Sequence, residues 1–212
     1  MQNNEFAIQL NNVLKEHPLL KYDQTERVFK GTLIVDDEDN DSYKVEIQLG
    51  EFPKKFPLVW EVGERIPRKL DRHIYLNRED CCFTTLAMQQ ILLRKGRIKT
   101  IPDFINKIVI PYFQNNSYYE INGKYKNGEY EHGIEGVFQA YQDILELNSI
   151  KITINVLIWH LKNKKLGKNE HCFCGNGKKV KDCHLYKYND LKYINDDTIK
   201  SDLSILIANF KK

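Results

Sequence analysis

The distribution of secondary-structure patterns along the chain constrains its fold more than any other feature. Strand-type patterns are confined to residues 27–62, and helix-type patterns dominate the remainder. Residues 27–35 are rich in β-branched and aromatic side chains, and residues 43–49 alternate apolar and polar side chains, as a strand with one solvated face does. Residues 58–62 form a third strand, bounded by prolines that cannot donate to a sheet ladder. Three strands with short connections predict an antiparallel meander, and the helices that follow predict the α+β class.

The connection between the first two predicted strands is strongly acidic, with the sequence DDEDNDS over residues 36–42. Carboxylates at this density are compatible with calcium, but the ligand spacing and the closing glutamate of an EF-hand are missing. We therefore interpret the segment as a solvated hairpin connection.

Two helices are predicted from apolar residues at helical spacing, one over residues 5–16 and one that begins after Thr100. Thr100 has the character of an N-cap, with Pro102 in the first turn and Asp103 at the capping-box position. Pro111 is expected to kink or end the second helix, because proline lacks the N–H that a helix interior needs.

The rest of the chain is also mostly helical in pattern. Residues 114–133 are rich in Asn, Gly and Tyr and are predicted to form a loop. Helices are predicted from about residue 134 and over residues 199–210. Residues 150–162 are β-branched at first and helix-like later, so both interpretations stay open. The lysine-rich residues 162–168 are interpreted as an exposed linker rather than as a nucleic-acid patch, since no aromatic residues are interleaved with the lysines.

The composition is that of a globular chain, with 42% hydrophobic and 29% charged residues. The net charge of +3 is too small to indicate nucleic-acid binding by itself. No apolar run approaches the roughly 20 residues of a membrane span, and the N-terminus lacks the features of a signal peptide, so we expect a cytoplasmic protein with reduced thiols and no membrane partner. The five cysteines are clustered, which favours chemistry or metal binding over a disulfide framework.

Three cysteines and a histidine are grouped near the C-terminus, in the segment HCFCGNGKKVKDCH of residues 171–184. Three thiolates and an imidazole can surround Zn²⁺ tetrahedrally, and the glycines let the chain reverse between the two halves of the motif. Four protein ligands close such a site, which favours structural over catalytic zinc. His171 is an alternative ligand that we do not favour. The predicted ligands are Cys172, Cys174, Cys183 and His184.

This segment resembles the SEC-C zinc motif at the tail of the SecA translocase and of many bacterial proteins, Cys-x-Cys-Gly-Ser-Gly-x-Lys…Cys-(Cys/His). Asn176 stands where that motif usually has serine. The resemblance implies a module that docks onto a protein partner, with Lys178, Lys179 and Lys181 on its solvated face.

The segment DRHIYLNREDCCF, residues 71–83, gathers His, Asn, Asp and Cys between the strand-type and helix-type patterns. Such loops often carry chemistry when a rigid scaffold holds them. A Cys82 thiolate could attack an activated carbonyl and hold the acyl group as a thioester, with His73 and Arg72 as nearby positive charges. The alternative is that Cys82 is a small buried apolar residue. Composition alone favours this alternative, because most free cysteines are buried.

The order of elements and several local motifs resemble the ubiquitin-conjugating enzyme fold over residues 5–147. The sequence FPKKFPLV of residues 52–59 resembles that family's Tyr-Pro…Pro-x-Val turn and third strand, and residues 71–83 resemble its His…Gly-x-Ile-Cys-Leu active-site stretch. The chain is more similar still to the bacterial branch found in anti-phage operons of the CBASS type. That branch shows Asp-x-His before the cysteine and a later Gly-Glu-x-x-His-Gly-x-x-Gly segment, here residues 128–136.

The resemblance implies that the C-terminal carboxylate of a protein arrives as a thioester on Cys82 and leaves to an amine, usually that of lysine. It implies catalytic roles for Cys82 and His73, with His73 orienting the loop rather than acting as a base. Members of the branch are thought to act on the nucleotidyltransferase of their own operon, which is therefore the expected protein partner. The chain has no Walker-type phosphate loop and no dinucleotide fingerprint, so a separate activating enzyme or an activated donor is also expected.

Departures from the family pattern leave alternatives open. The sequence HIY of residues 73–75 stands where the eukaryotic family has His-Pro-Asn, so Asn77 or backbone N–H groups would have to stabilise the oxyanion. Cys81 is an alternative nucleophile, although the apolar residue after the pair favours Cys82. His132 is either a second functional histidine or a residue at a helix start.

We predict three parts: a ubiquitin-conjugating-like domain over residues 1–147, a helix and linker over residues 148–170, and a zinc knuckle with a C-terminal helix over residues 171–212. Two functions are compatible with them, an acyl transferase and an inactive adaptor that recruits a partner through the zinc knuckle. The presence of Cys82 favours the transferase. Nucleic-acid binding through the knuckle is not expected, because stacking aromatics are missing around it.

Overall fold

A computed structural model describes residues 2–36, 38, 40–126, 131 and 133–210. The chain is α+β, with an N-terminal helix, a four-stranded antiparallel meander and a series of helices, so the predicted fold class is confirmed. It forms two compact units, which we call the sheet unit (residues 1–83 and 96–129) and the helical unit (residues 84–95 and 130–212). The three predicted domains were defined by resemblance, and their boundaries stay a prediction.

The first part of the sheet unit contains the N-terminal helix and the whole sheet. The strands pair in the order β1-β2-β3-β4, each antiparallel to the next. The predicted helix and the three predicted strands are present, and β1 is an addition, because four residues are too few to show a periodic pattern. The elements are α1 (Gln2–Glu16), β1 (Leu20–Asp23), β2 (Val28–Asp36), β3 (Asp41–Gln48) and β4 (Leu58–Glu61), followed by a 3₁₀ turn (Leu70–Arg72).

The apolar and polar side chains that alternate in the sequence of β3 are alternately buried and more exposed in the structure. Tyr43, Val45 and Ile47 face the core with 1% of their surface exposed or less, whereas Lys44 is exposed on the opposite face. Phe113, from the helix Ile110–Asn122, stacks on Tyr43, with ring centroids 4.5 Å apart. Burying each such side chain contributes about 1.5–3 kcal/mol, so the core face of β3 fixes the register of the sheet.

The helix that begins after Thr100 is longer than predicted. It runs as α3 (Ile101–Phe104), a π-helical turn (Ile105–Val109) and α4 (Ile110–Asn122), so the prediction of a loop from residue 114 was wrong as far as residue 122. Pro111 lies in the first turn of α4, directly after the π turn, where the regular hydrogen-bond ladder is already interrupted. Proline therefore does not end the helix, which stops at Gly123 in the left-handed conformation (φ 66°).

The capping box predicted at Thr100 is present. The Thr100 hydroxyl accepts a hydrogen bond from the Asp103 N–H, and the Asp103 carboxylate accepts one from the Thr100 N–H. We expect Thr100→Ala to lower the free energy of unfolding by about 1 kcal/mol, because it leaves an orphan N–H at the helix start. Urea denaturation measures the change. Arg97→Ala, an exposed substitution nearby, should change stability by less than about 0.5 kcal/mol, and equal losses in both variants would contradict the capping role.

The helical unit consists mainly of helices, with one long connection over residues 162–179. Residues 150–161 are a helix, so the ambiguity of that segment is resolved, and the Ser149 hydroxyl caps it by accepting from the Ile152 N–H. The chain from Lys162 to Lys165 is exposed and lies inside this unit. The elements are α2 (Leu86–Arg94), α5 (Gly133–Leu145), α6 (Ile150–Leu161), a 3₁₀ turn (Val180–Asp182), α7 (Leu185–Asp190), a 3₁₀ turn (Leu191–Tyr193) and α8 (Asp196–Phe210).

The core of the helical unit is formed by α2, α5, α6, α7 and α8. Its most buried members are Tyr141, Val156, Leu157, Leu191, Ile199 and Leu206. Among the described residues, no single helix combines the length and apolarity of a membrane span. Helices α5 and α6 meet that criterion only as a pair, bent by 70°, and both contribute large buried side chains to this core.

Candidate functional sites

The segment around Cys82 is a small hairpin after β4. Cys82 N–H donates to the His73 carbonyl at 2.7 Å, Ile74 bridges Cys81, and Tyr75 N–H donates to the Asp80 carbonyl at 2.9 Å. The turn between these arms is closed by the Arg78 and Glu79 N–H groups, which both donate to the Tyr75 carbonyl. We call residues 73–82 the cysteine hairpin.

The cysteine hairpin is fastened to the sheet. Cys81 N–H donates to the Val59 carbonyl at 2.7 Å, and the Trp60 indole N–H donates to the Arg78 carbonyl at 3.0 Å. From α4, the Tyr112 hydroxyl donates to the His73 carbonyl at 2.9 Å. The hairpin is thus held by β4 on one side and by α4 on the other, which gives its side chains defined positions.

The two adjacent cysteines have different environments. Cys81 is 4% exposed and lies with Ile74 in the core, whereas Cys82 is half-buried and accessible from solvent. Burial raises the pKa of Cys81 to about 12, so its thiol stays protonated at neutral pH. The structure therefore gives the alternative nucleophile Cys81 an inert environment, and it leaves Cys82 partly exposed.

Four neighbouring influences set the ionisation of Cys82. Burial is the largest and raises the pKa of its thiol above the ordinary value, although a hydrogen bond from the Tyr75 hydroxyl lowers it. The Asp80 carboxylate raises the pKa further, and the Arg78 charge lowers it. Arg78 is engaged by Asp80 through contacts of 2.9 and 3.0 Å, so its charge is largely compensated. In this conformation Cys82 is a thiol of low acidity.

The sequence indicated His73 and Arg72 as charges near Cys82, and the structure shows the following contacts for each of them. The Arg72 side chain is buried against α4, where it donates to the Asn116 side chain at 3.0 Å and lies over the Tyr119 ring. The His73 ring packs edge-on against Tyr125, with centroids 5.3 Å apart. His73 has a left-handed backbone (φ 53°), and its carbonyl binds the Cys82 N–H. These contacts fit an orienting role, which stays a prediction.

Other predicted residues of this region are less informative. Asn77 is exposed at the tip of the cysteine hairpin. His132 lies outside the described residues, as do residues 128–130 of the Gly-Glu-x-x-His-Gly-x-x-Gly segment. The last glycine of that segment, Gly136, packs so closely that a Cβ atom would lie 1.7 Å from the Glu131 carbonyl oxygen, so only glycine fits there.

Sequence reasoning missed Tyr75, Arg78 and Asp80 as neighbours of Cys82. The available signal was the alternation across the hairpin, because Ile74 and Cys81 are apolar partners that mark the buried face. Recognising it required the register of a turn that has no glycine or proline. That register is set by hydrogen bonds that cannot be predicted from the residue types.

Near the C-terminus, the four predicted metal ligands come together. The ligand atoms of Cys172, Cys174, Cys183 and His184 all lie within 4.8 Å of one another. The Sγ atoms of Cys174 and Cys183 are 3.7 Å apart, close to the separation of about 3.8 Å that two sulfurs have in a tetrahedral site with Zn–S bonds of about 2.3 Å. This distance is much longer than the roughly 2.05 Å of a disulfide. The donor set could hold a metal ion such as zinc.

The backbone of residues 168–184 forms the frame of this metal site. Cys172 N–H donates to the Lys178 carbonyl at 2.8 Å, and His171 pairs with Lys179 in an isolated bridge. The 3₁₀ turn Val180–Asp182 then returns the chain to Cys183. His171 itself is exposed and lies outside the ligand group. The predicted solvated lysines of the motif are exposed; they are Lys178, Lys179 and Lys181.

Two outer contacts orient the ligands. The His184 Nε2 lies 3.3 Å from the Glu146 carbonyl, an acceptor that places the proton on Nε2 and leaves Nδ1 free to face the sulfurs. The Asn176 side chain donates to Cys183 Sγ at 3.0 Å, and its oxygen accepts from the Lys178 N–H. Asn176 therefore supports a ligand at the position where the resembling motif has serine.

The metal segment is packed on the helical core. Phe173 contacts Trp159 of α6, with ring centroids 6.0 Å apart, and it also lies against His184. Lys187 of α7 pairs with the Glu146 carboxylate at 2.7 Å. Apolar contacts therefore contribute to the order of this segment in addition to any bound metal.

Comparisons with known proteins leave the chain without a family. No family model matches the sequence, and no curated protein and no solved structure is significantly similar to it. The chain is thus established as an α+β protein with an N-terminal helix, a four-stranded antiparallel sheet, C-terminal helices and a Cys₃His group that could hold a metal ion.

Proposed function

We propose that this protein is an acyl transferase of the ubiquitin-conjugating type, which carries a protein C-terminus as a thioester on Cys82 and passes it to an amine. The acyl cargo is, in this proposal, the nucleotidyltransferase of a CBASS-type anti-phage operon. A separate activating enzyme, or a donor that is already a thioester, supplies the energy.

One observation carries the proposal: the contrast between the two adjacent cysteines in the cysteine hairpin. Cys81 fills the core, whereas Cys82 is partly exposed and lies near a tyrosine, an arginine and an aspartate that influence its thiol. A cysteine needed only for packing has no use for such neighbours. The surrounding order of helix, antiparallel meander, hairpin and helices supports the same interpretation, because it is the order expected from the resemblance.

The reaction requires two displacements at one carbonyl carbon. The Cys82 thiolate attacks the donor thioester, the new C–S bond forms, and the donor thiolate leaves. The acceptor amine then attacks the carrier thioester, the C–N bond forms, the Cys82 thiolate leaves, and the proton of the amine passes to solvent. No oxidant or reductant takes part, and no phosphate chemistry occurs on this chain.

The raised pKa of Cys82 suits the carrier role. A more basic thiolate is the stronger nucleophile and the poorer leaving group, so exchange from a donor of ordinary acidity favours the acyl group on Cys82. Partial burial also limits the access of water to the carbonyl. The thioester would therefore persist until an amine is brought close to it.

The metal site has a structural role in this proposal. All four ligands come from the protein, which leaves no open position for a substrate. Zinc there would hold residues 172–184 on the helical core and present the exposed lysines to a protein partner. Its contribution would be recruitment, since no step of acyl transfer needs it.

The second candidate is an adaptor without acyl transfer. The low acidity of Cys82 favours it, because at neutral pH few molecules carry the thiolate unless a partner changes the environment. In that case the metal segment would bind a partner and Cys82 would take part in no reaction.

The intact mass of the full-length protein separates the two candidates. The protein is co-expressed with the genes that flank its own, and it is also incubated alone with a short synthetic peptide thioester as an activated donor. We expect an adduct on Cys82 that a thiol reductant removes, and the mass of that adduct identifies the cargo. The absence of an adduct under both conditions would favour the adaptor.

A further inference from the structure

Tyr75 lies on the same face of the cysteine hairpin as Cys82, and its hydroxyl is one of the groups that lower the pKa of the Cys82 thiol. We propose that the Tyr75 hydroxyl stabilises the Cys82 thiolate by a hydrogen bond, both when the thiolate attacks a donor and when the acceptor amine displaces it. The role in transfer rests on the function proposed above, whereas the hydrogen bond itself can be tested without any donor.

The register of the hairpin carries the first step of the argument. Tyr75 pairs with Asp80, and Ile74 pairs with Cys81, so successive side chains alternate between two faces. Ile74 and Cys81 occupy the buried face, with 1% and 4% exposure. Tyr75 and Cys82 therefore share the opposite face as diagonal neighbours, a separation that an aromatic side chain can span.

The position of Tyr75 is fixed by its own turn. Its carbonyl accepts from the N–H groups of Arg78 at 3.2 Å and Glu79 at 2.6 Å. The Arg78 guanidinium lies 4.8 Å from the centre of the Tyr75 ring, and Asp80 holds that guanidinium by its ion pair. The backbone and ring of Tyr75 are thus held by groups in place before any substrate arrives, which is the arrangement that lowers reorganisation in the reaction.

The chemistry of the hydroxyl suits a donor. Burial raises the pKa of Tyr75 well above its ordinary value, so the hydroxyl keeps its proton throughout the range in which thiols react. A protonated phenol donates to a thiolate and cannot act as its base. Hydrogen bonds to a charged acceptor in a partly desolvated site are stronger than those between neutral groups.

Other charged groups near Cys82 do not supply this stabilisation. Arg78 and Asp80 act on Cys82 in opposite directions and neutralise each other. From α4, Tyr112 directs its hydroxyl to the His73 carbonyl and to Cys81. Among the groups that lower the pKa of Cys82, Tyr75 is the one whose donor is not engaged by the Asp80 carboxylate.

In the reaction, the proton of Tyr75 stays on its oxygen. During attack the hydrogen bond lowers the free energy of the thiolate, and during amine transfer it stabilises the same thiolate as the leaving group. This arrangement provides a donor at a place where the sequence HIY has no Asn for that purpose.

The test is the pH dependence of alkylation of Cys82 by iodoacetamide, in a Cys81→Ala background so that one site of the hairpin reacts. Peptide mass spectrometry follows the hairpin peptide and ignores the metal-site thiols. In Tyr75→Phe the ring and its packing stay, and we expect the pKa of Cys82 to rise by about one unit, since a hydrogen bond to a charged group is lost. The alkylation rate at pH 7 should fall about threefold, and the plateau rate at high pH should rise, because a more basic thiolate is more nucleophilic.

Two further variants separate the hydrogen bond from a structural effect. Leu76→Ala, next to Tyr75 and exposed, should leave the pKa of Cys82 unchanged. Tyr75→Ala removes the shielding ring as well, so the burial that raises the pKa is reduced, and the pKa should lie below that of Tyr75→Phe. An unchanged or lowered pKa in Tyr75→Phe would overturn the hydrogen bond.

The outcomes also distinguish this proposal from the acyl-transfer function. If Tyr75→Phe shifts the pKa but no donor ever loads Cys82, the hydrogen bond stands and its catalytic use is refuted together with the transferase. If wild type and Tyr75→Phe load and discharge the peptide thioester at the same rates, the transferase stands and the proposal for Tyr75 is overturned.

Discussion

Replacing Cys82 with alanine should abolish the reductant-sensitive adduct, a loss of at least about a thousandfold in loading rate, while the fold is retained. The nucleophile forms the covalent bond to the acyl group, and no neighbouring group can substitute for it. Cys82 is only half-buried, so the missing sulfur leaves no closed cavity. Intact mass spectrometry under non-reducing conditions measures the adduct, and circular dichroism checks the fold.

Cys82→Ser and Cys81→Ala provide the matched controls. A serine at position 82 would carry the acyl group as an oxygen ester, which thiol reductants do not remove, so a resistant adduct is expected in this variant. Cys81→Ala should keep the adduct but lower the free energy of unfolding by about 1 kcal/mol, because it removes a buried sulfur from the core. The opposite result, with Cys81 required and Cys82 dispensable, would reverse the assignment of the nucleophile.

Replacing Cys183 with alanine should remove the metal ion and strongly destabilise the helical unit. We expect one zinc per chain in the wild type and less than about one tenth in the variant, as measured by elemental analysis. Structural zinc sites contribute on the order of 10 kcal/mol of binding free energy in small peptides. Because Phe173 and Trp159 also hold the segment, a loss of roughly 4 kcal/mol is expected, which lowers Tm by about 10 °C.

His171→Ala is the control for the metal site. It removes a histidine next to the first ligand, but His171 is exposed and outside the ligand group, so zinc content and Tm should stay as in the wild type. A chelator added to the wild type should reproduce the loss of stability of Cys183→Ala and should have no effect on that variant. Loss of zinc in His171→Ala, or full zinc in Cys183→Ala, would show that the ligand set is different.

The capping box at Thr100 and the alternation of β3 are examples of what short-range patterns predict well. In both, the physical cause lies within a few residues. The capping box is a pair of hydrogen bonds between near neighbours, and the alternation of β3 arises because every second side chain faces the same core. The Cys₃His group that could hold a metal ion was predictable for a related reason. Its donor atoms belong to rare residue types, and their spacing in the sequence is typical of structural zinc sites.

The predicted loop after residue 114 was wrong because local reasoning gave Pro111 too much weight. The π turn before it removes the conflict with the helix ladder, and Phe113 and Asn116 then gain burial on the sheet unit's core and beside Arg72. Propensity is a weak prior, and tertiary packing of one face overrides it. Nothing in the sequence near Pro111 reports where that packing surface lies.

The sequence by itself determined the fold class, the four residues that could hold a metal ion and the pair of cysteines to be compared. Only the tertiary structure distinguished the environments of those cysteines, because the register of the cysteine hairpin sends Cys81 into the core and leaves Cys82 partly exposed. It also packed Arg72 against α4, placed the Arg78 charge near the Cys82 thiol and brought Tyr75 to the same face of the hairpin as Cys82. These outcomes depend on hydrogen bonds between chain segments and on the burial of side chains where those segments pack. The free energy of such contacts depends on which surfaces meet in the folded protein, and the type of a single residue does not determine it.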